Sequence, residues 1–351
     1  MSSPPTIDLT VERDLRGIRI DSFLAKHLRN YTSWRLARIV RAGGVRIDGG
    51  PVDSAYRVMA GQRITVQLIE PPDKLHPSVP IDVPIVYADP WLLVVDKPPG
   101  LIAHPTGEYQ LEALTNVLQP WLDARTPVRG LLRAGIVHRL DRQTSGLMAV
   151  ALTHGAHAAL STAFEQGRVA KTYHAIVEGR LTADAGVIDA AIGRMGHGRS
   201  ILMSARADAL ERKAAVTRYR VLRRCADRTL VEAKPQTGRN HQIRVHFAHI
   251  GHPLIGDEFY LPHGAVRSPR SQVRAERSGL VDEPVMAGAS PDVDDESERG
   301  RHALHAARLE FAHPVTDLWM TFESPLPADL RELLPQGEAA VPETPIASAL
   351  R

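Results

Sequence analysis

The stretch from Gly135 to Leu152, GIVHRLDRQTSGLMAVAL, limits what this chain can fold into more than any other. It is apolar at both ends, with Ile136 and Val137 before and Leu147 to Leu152 after. Between them lie His138, Arg139, Asp141, Arg142, Gln143, Thr144 and Ser145. Two buried runs around such a polar knot bring a loop to the floor of a cleft, because ordered loops on rigid scaffolds are where binding and catalytic groups collect. Asp141 sits between Arg139 and Arg142, and cations that close favour the ionised carboxylate. An ionised carboxylate in a cleft suits a nucleophile or a base. The competing reading is an ion pair that merely ties the loop down.

The remaining composition sets broad bounds. A chain of 351 residues with 43% hydrophobic content has room for two globular domains. No apolar run approaches the roughly 20 residues of a bilayer helix. The opening MSSPPTIDLTVERD lacks the basic and apolar regions of an export signal, so a soluble, cytoplasmic protein is expected. Cys225 is the single cysteine, which leaves no internal disulfide and no cysteine-cluster metal site. A net charge of +3 is modest, so the placement of the charges matters more than their sum.

Residues 1–13 read as a loose leader. Ile20, Phe23, Leu24 and Leu28 then recur at helical spacing, as do Trp34, Ala37, Ile39 and Val40 ahead of Gly43 and Gly44. Short strands follow, with a turn at Gly49-Gly50 and an alternating strand RITVQL. A small α+β module over residues 14–70 results. Arg35, Arg38 and Arg41 share one side of its second helix and, with Arg46, make a basic stripe suited to phosphates; an ordinary solvated face is the alternative. Prolines crowd residues 71–84, an interdomain linker.

Residues 85–334 make the larger domain. It opens on a buried strand, Trp91 to Val95, before the turn Lys97-Pro98-Pro99-Gly100. HGAHAALSTAFEQGRV reads as a helix with Ala156, Leu160, Ala163 and Phe164 inward, and AKTYHAIVEGRL as a strand carrying Lys171 and Tyr173. IGRMGHGRSILMSARADALERKAAV shows little periodicity and reads as a mobile, positively charged flap. Strands VTRYRVL and TLVEAKP follow, joined at Cys225 to Arg228; then comes a helix with Ile243, Phe247 and Ile250 inward, carrying Arg244 and preceded by His241. His246, His249 and His252 lie close together, but no Cys or Glu completes a ligand set, so no metal is expected. Residues 267–301 turn to Ser, Pro, Gly and acids and read as a disordered insertion. Two paired strands around Pro314 to Asp317 close the domain, and a tail follows Leu334.

Three of these stretches carry a resemblance. HRLDRQTSGL, the Lys171-x-Tyr173 strand with Glu178-Gly179, and GRNHQIRVHFAHIGHPLIGDEFY closely resemble the three motifs of the RluA-type pseudouridine synthases. Lys97-Pro98-Pro99-Gly100 is similar to the opening of that family's catalytic domain, with Asp96 where Asn is common. Residues 14–68 resemble the alpha-L RNA-binding module that often precedes it. The resemblance implies an α+β pseudouridine-synthase fold, a mixed and mainly antiparallel sheet flanked by helices, behind a small RNA-binding domain. It implies an RNA isomerase, a monomer without cofactor, that acts on ribosomal RNA or on tRNA.

By the same resemblance Asp141 is the catalytic aspartate and Arg244 its ion-pair partner. Tyr173 stacks on the target uracil and helps remove its C5 proton, and Arg139 fills the gap left by the flipped nucleotide. His138, Thr144, Lys171, His241 and Gln242 complete the substrate site. Two other classes stay open on the residues: a non-catalytic RNA-binding assembly factor on the same scaffold, and a metal-dependent nuclease using the histidine-rich helix.

Overall fold

The computed structural model describes residues 6–28, 31, 33–67, 81–105, 113–125, 133–195, 202–266 and 301–335. The linker prolines up to Pro80, residues 267–300 and the tail from 336 lie outside the described residues.

The N-terminal module starts earlier than its composition suggests. Thr6–Thr10 is a strand, β1, rather than a loose leader, and it pairs antiparallel with β4 (Arg63–Gln67). Alternating residues Ile7 and Leu9 face the core, which is why this polar-looking segment orders. Helices α1 (Ile20–His27) and α2 (Ser33–Arg41) bury Ile20, Phe23 and Leu24, and Leu36, Ile39 and Val40, against Val45, Ile64 and Val66. β2 (Val45–Ile47) turns into β3 (Gly50–Pro51) through Asp48-Gly49, one residue ahead of the expected pair. Both turn residues have positive φ, 50° and 83°, the backbone that a tight hairpin requires. Arg41 and Arg46 are exposed, and the Arg35 guanidinium lies over the Tyr31 ring.

The strands of the larger domain are β5 (Ile85–Ala88), β6 (Leu92–Lys97), β7 (Gly135–Ile136), β8 (Ser145–Ala151), β9 (Ala170–Glu178), β10 (Ala185–Asp189), β11 (Ile192–Arg194), β12 (Met203–Ser204), β13 (Leu210–Lys213), β14 (Val216–Arg224), β15 (Arg228–Pro235), β16 (Leu304–Ala312) and β17 (Trp319–Glu323). Among the described residues the main sheet runs β10-β14-β15-β9-β16-β8-β6-β5, with β17 on β16 and β7 on β8. Successive residues of β6 and β8 serve opposite faces. Leu92, Val94, Leu147 and Ala149 meet α4 (His154–Glu165), while Leu93, Val95, Met148 and Val150 meet α3 (Leu114–Asp123). Thr153 caps α4, its hydroxyl accepting the Ala156 N–H at 3.2 Å. Helix α5 (Gln242–His249) packs Ile243 and Phe247 on Ala175, Val177 and Val231. A last short helix, Ala328–Glu332, follows β17. Among the described residues no helix is long and apolar enough to cross a membrane.

Two expectations change here. Within the segment read as a mobile flap, β11, β12 and β13 form a three-stranded antiparallel sheet, anchored where Ile192, Leu202 and Ala205 pack on Val245, Ala248 and Tyr260. Glycines and arginines hid that alternation, and residues 196–201 lie outside the described residues. Arg301, assigned to the insertion, belongs instead to the packed domain: its guanidinium donates to Asp329, to the Gln143 carbonyl and to the Leu304 carbonyl.

Every pairing in the main sheet is antiparallel except that of β8 with β16, where Ser145 faces His305 and Gly146 faces Ala306. Parallel neighbours start at the same end, so the loop before β8 and the chain before β16 arrive together. Gly146 makes the close approach possible. Its φ is +118°, and a Cβ there would lie 2.4 Å from the Ala306 carbonyl oxygen and 2.5 Å from its nitrogen. Gly146→Ala is therefore expected to cost roughly 3 kcal/mol or more, from overpacking and backbone strain together, read as a lower urea midpoint at unchanged m-value.

Candidate active site

The seam between β8 and β16 opens into a cleft of about 930 Å³ lined by, among others, Arg139, Asp141, Lys171, Tyr173, His241 and Arg244. The turn before β8 places Asp141, with the Thr144 N–H donating to the Asp141 carbonyl at 3.0 Å. The buried Lys97 ammonium fastens this turn from below, donating to the carbonyls of Pro98 (2.8 Å), Leu101 (2.9 Å) and Arg142 (3.2 Å). Burial, the strongest influence on it, draws the Lys97 pKa down to about 7. Arg142 does not face Asp141 as the sequence suggested; its Nε donates to the Gly100 carbonyl at 3.1 Å.

Arg244 supplies the cation instead. It projects from the first turn of α5, 1% exposed, and donates through Nη1 to Asp141 Oδ2 at 3.2 Å. Its Nε and Nη2 fork onto Asp257, both at 2.8 Å. Asp257 Oδ1 also accepts the N–H groups of Phe259 (2.9 Å) and Tyr260 (3.0 Å), so this carboxylate is fully occupied within the protein. Asp141 is not: its side chain keeps 21% exposure on the cleft. Burial alone would raise the Asp141 pKa, but His241, Arg244 and His302, with the hydrogen bond from Arg244, outweigh it and bring the carboxyl to about 2. Burial and Arg244 hold His302 down to about 3, and burial lowers His241 as well. Both rings are neutral near pH 7, so their charge favours the Asp141 carboxylate only in the acid range where they are protonated, and Arg244 is the standing charge against it at neutral pH.

His241 is held in one orientation. It caps α5 with left-handed backbone, φ 53°, and its Nδ1 lies 2.7 Å from the Tyr260 hydroxyl. That hydroxyl accepts the Met203 N–H at 3.1 Å, which favours the arrangement in which its own proton goes to Nδ1. The neutral ring then carries its proton on Nε2, which faces Asp141 Oδ1 across 4.0 Å. Tyr173 stands on β9 in the same cleft and packs against the clusters under both α3 and α5. Burial, then the Asp141 charge, raises its pKa well above the usual phenol value. It stays a neutral phenol.

The other residues expected at the site divide. Arg139 is exposed at the cleft and Lys171 is half-buried in it. His138, Thr144 and Gln242 line the cleft as well, with polar atoms that bond within the protein. Gln242 donates to the Val216 carbonyl and the Thr217 hydroxyl and accepts from the Thr237 hydroxyl and the Arg239 N–H, so it clamps the loop before α5. The Thr144 hydroxyl is 2.7 Å from His302 Nε2. His138 accepts the Ala149 N–H at Nε2, stacks on Phe164, and is pushed down to about 3 by burial.

Sequence reasoning missed Asp257, Tyr260, His302 and Lys97. Gly256-Asp257-x-x-Tyr260 stood in the third motif, yet an Asp after Gly reads as a turn. The histidines once weighed as metal ligands have other uses, His246 bonding the Thr217 hydroxyl and the Ala190 carbonyl, and His252 the Glu178 carbonyl.

One carboxylate held ionised in an open cleft, with a neutral aromatic ring nearby and basic side chains around it, is an arrangement suited to a planar, phosphate-bearing ligand. Comparison with known proteins narrows this. Residues 91–249 match the family of RNA pseudouridylate synthases. The uncharacterized RNA pseudouridine synthase YlyB of Bacillus subtilis is 35% identical over 93% of this chain and 97% of its own. The ribosomal large subunit pseudouridine synthase D of Pseudomonas aeruginosa is 38% identical over 92% of each chain. Among solved structures, human RNA pseudouridylate synthase domain containing 4 covers 71% of this chain and 90% of its own at 25% identity, with a TM-score of 0.51. The chain belongs to the RNA pseudouridylate synthase family, and its enzyme class is isomerase.

Arg244→Met removes the fixed cation and leaves the burial of Asp141 unopposed by it. The Asp141 pKa should rise from about 2 toward and beyond the ordinary carboxylate range. The acid limb of the pH–rate profile should therefore move to higher pH. With Asp257 stranded, stability should fall by about 3–5 kcal/mol in urea unfolding.

Proposed function

We propose that this enzyme isomerises specific uridines to pseudouridine in large-subunit ribosomal RNA, with Asp141 as the catalytic carboxylate. The observation that carries this reading is the Asp141–Arg244 pair: a carboxylate ionised by a buried guanidinium at 3.2 Å, yet open to a cleft of about 930 Å³ that also holds Tyr173. The RNA target follows the names of the relatives, which are matched over nearly their whole length.

The reaction breaks the N1–C1′ bond, rotates the uracil, joins C5 to C1′, and moves a proton from C5 to N1. It needs no net redox change and no imported group. Asp141 meets the sugar, either attacking C1′ or taking a proton from C2′; both routes need the ionised carboxylate that Arg244 maintains. A uridine in folded RNA must first leave its stack at a cost of a few kcal/mol, offset by packing in the pocket. Tyr173 stacks on the displaced uracil. Its raised pKa keeps it a neutral phenol, which suits that role. His241 Nε2–H reinforces the orientation of Asp141, and exposed Arg139 stands in for the flipped nucleotide. Arg218, Lys234 and Lys171 add positive charge for the phosphates. Residues 6–67 serve as an RNA-binding arm through Arg41, Arg46 and the basic side of α2.

Asp141→Asn should leave RNA binding within a few-fold and lower tritium release from 5-tritiated uridine RNA by at least about 10³-fold; retained turnover would exclude Asp141 as the catalytic group. Replacing Arg41 and Arg46 together with Ala should weaken binding to all RNAs alike. It should also reduce the slope of log affinity against log salt by about 1.5, read by filter binding.

A further inference from the structure

A second cleft, of about 820 Å³, lies between α4, the start of β9 and the turn joining β16 to β17. Gly167 and Ala170 line both this cleft and the one holding Asp141, so the two share a lip. Its walls are Ala159, Ala163, Ala312, Val315 and Trp319, and its two formally charged side chains, Arg168 and Asp317, have opposite signs. Three large apolar side chains are exposed within five residues here: Val315 (52%), Leu318 (68%) and Trp319 (60%).

The turn that presents them is built rigidly. His313 Nε2 lies 2.8 Å from Asp89 Oδ2, and its Nδ1 accepts the N–H groups of Val315 (3.3 Å) and Thr316 (3.0 Å). The Asp317 N–H donates back to the His313 carbonyl at 3.0 Å. Asp89 in turn accepts the Tyr87 hydroxyl and the Trp91 N–H. A fixed turn that holds an indole toward solvent is a platform rather than a frayed hairpin tip.

We propose that this cleft binds a nucleobase of the substrate strand close to the target uridine, stacked on Trp319. The inference rests on the assignment of the Asp141 cleft to RNA. A polynucleotide is continuous, so the strand leaving a uridine at Asp141 must run out over the surface, and this groove joins the site at Gly167 and Ala170. An apolar pocket whose single positive and single negative charge cancel holds a base in preference to a phosphate. Aromatic stacking tolerates any base, so the subsite adds affinity and register without reading sequence.

Trp319→Ala and Trp319→Phe test this on an in vitro transcript of large-subunit ribosomal RNA carrying 5-tritiated uridine. The alanine variant should raise KM about 10-fold with kcat within about twofold. Phenylalanine should restore most of the loss, and the salt dependence of binding should keep its slope. Binding of the same transcript by mobility shift, which needs no turnover, should weaken by the same factor. If the wild type releases no tritium, the function proposed above fails, and the binding measurement alone judges the subsite. Unchanged KM and affinity in Trp319→Ala would overturn the proposal. So would a flattened salt slope, which marks a phosphate contact. A change in sedimentation with unchanged RNA affinity would overturn it too, identifying a contact between two copies of this chain.

Discussion

The chemistry of this fold depends on a guanidinium buried where charge is expensive. An isolated cation at 1% exposure would not be tolerated. Arg244 is tolerated because Asp257 takes two of its donors in a fork while Asp141 takes a third. The carboxylates differ in what remains to them. Asp257 Oδ1, besides taking one prong of the fork, accepts the N–H groups of Phe259 and Tyr260 and so fixes the loop after α5, whereas Asp141 keeps an open side. Such a cluster contributes little net stability compared with apolar residues of the same volume. Its value lies in delivering one carboxylate, charged and oriented, to a cleft. The same loop carries Tyr260, so the loop that anchors Arg244 through Asp257 also orients His241 through the Tyr260 hydroxyl.

The main sheet explains why these groups meet. Antiparallel neighbours would have sent the starts of β8 and β16 to opposite ends. Their short parallel pairing, from Ser145 with His305 to Gly146 with Ala306, brings Asp141 and His302 together across a large separation in sequence. The cost is a backbone approach that a side chain on Gly146 would block. Lys97 closes the arrangement at the end of β6, its three carbonyl contacts joining the Pro98–Leu101 turn to the Asp141 turn.

Much of this was legible in the sequence because periodicity and local chemistry agree with the final packing. The apolar spacing of α1, α4 and α5 and the all-buried β8 appear where their patterns put them. The pairing of Asp141 with Arg244, 103 residues apart, came from motif resemblance, and no local rule would have joined them. What escaped was long-range or concealed. Strand β1 looked polar until β4 gave it a partner, and the β11–β13 sheet lacks clean alternation. Arg142 looked like a neighbour of Asp141, yet its Nε donates to the Gly100 carbonyl, and Gln242 bonds the protein around it, the Val216 carbonyl and the hydroxyls of Thr217 and Thr237 among its partners. Asp257 was hidden for the reverse reason, a turn-like residue that proves to hold the main cation.

The charge layout of the cleft then sorts what can enter it. Its outer part carries Arg139, Arg218 and Lys234, which outnumber the acids Glu165 and Glu310, its floor carries the Asp141 carboxylate, and rings that burial keeps neutral stand beside that carboxylate: His241 and Tyr173 on the cleft and His302 buried behind it. A phosphate is drawn to the outer cations and repelled by the floor, so the nucleotide enters with its uncharged base and sugar foremost. Were His241 and His302 protonated near pH 7, the floor would be net positive and would compete with the outer cations for the backbone. Keeping those rings neutral while one aspartate stays ionised requires burial for the histidines and a permanent cation for the acid. Only arginine, charged at every accessible pH and forked to serve two carboxylates at once, meets the second requirement.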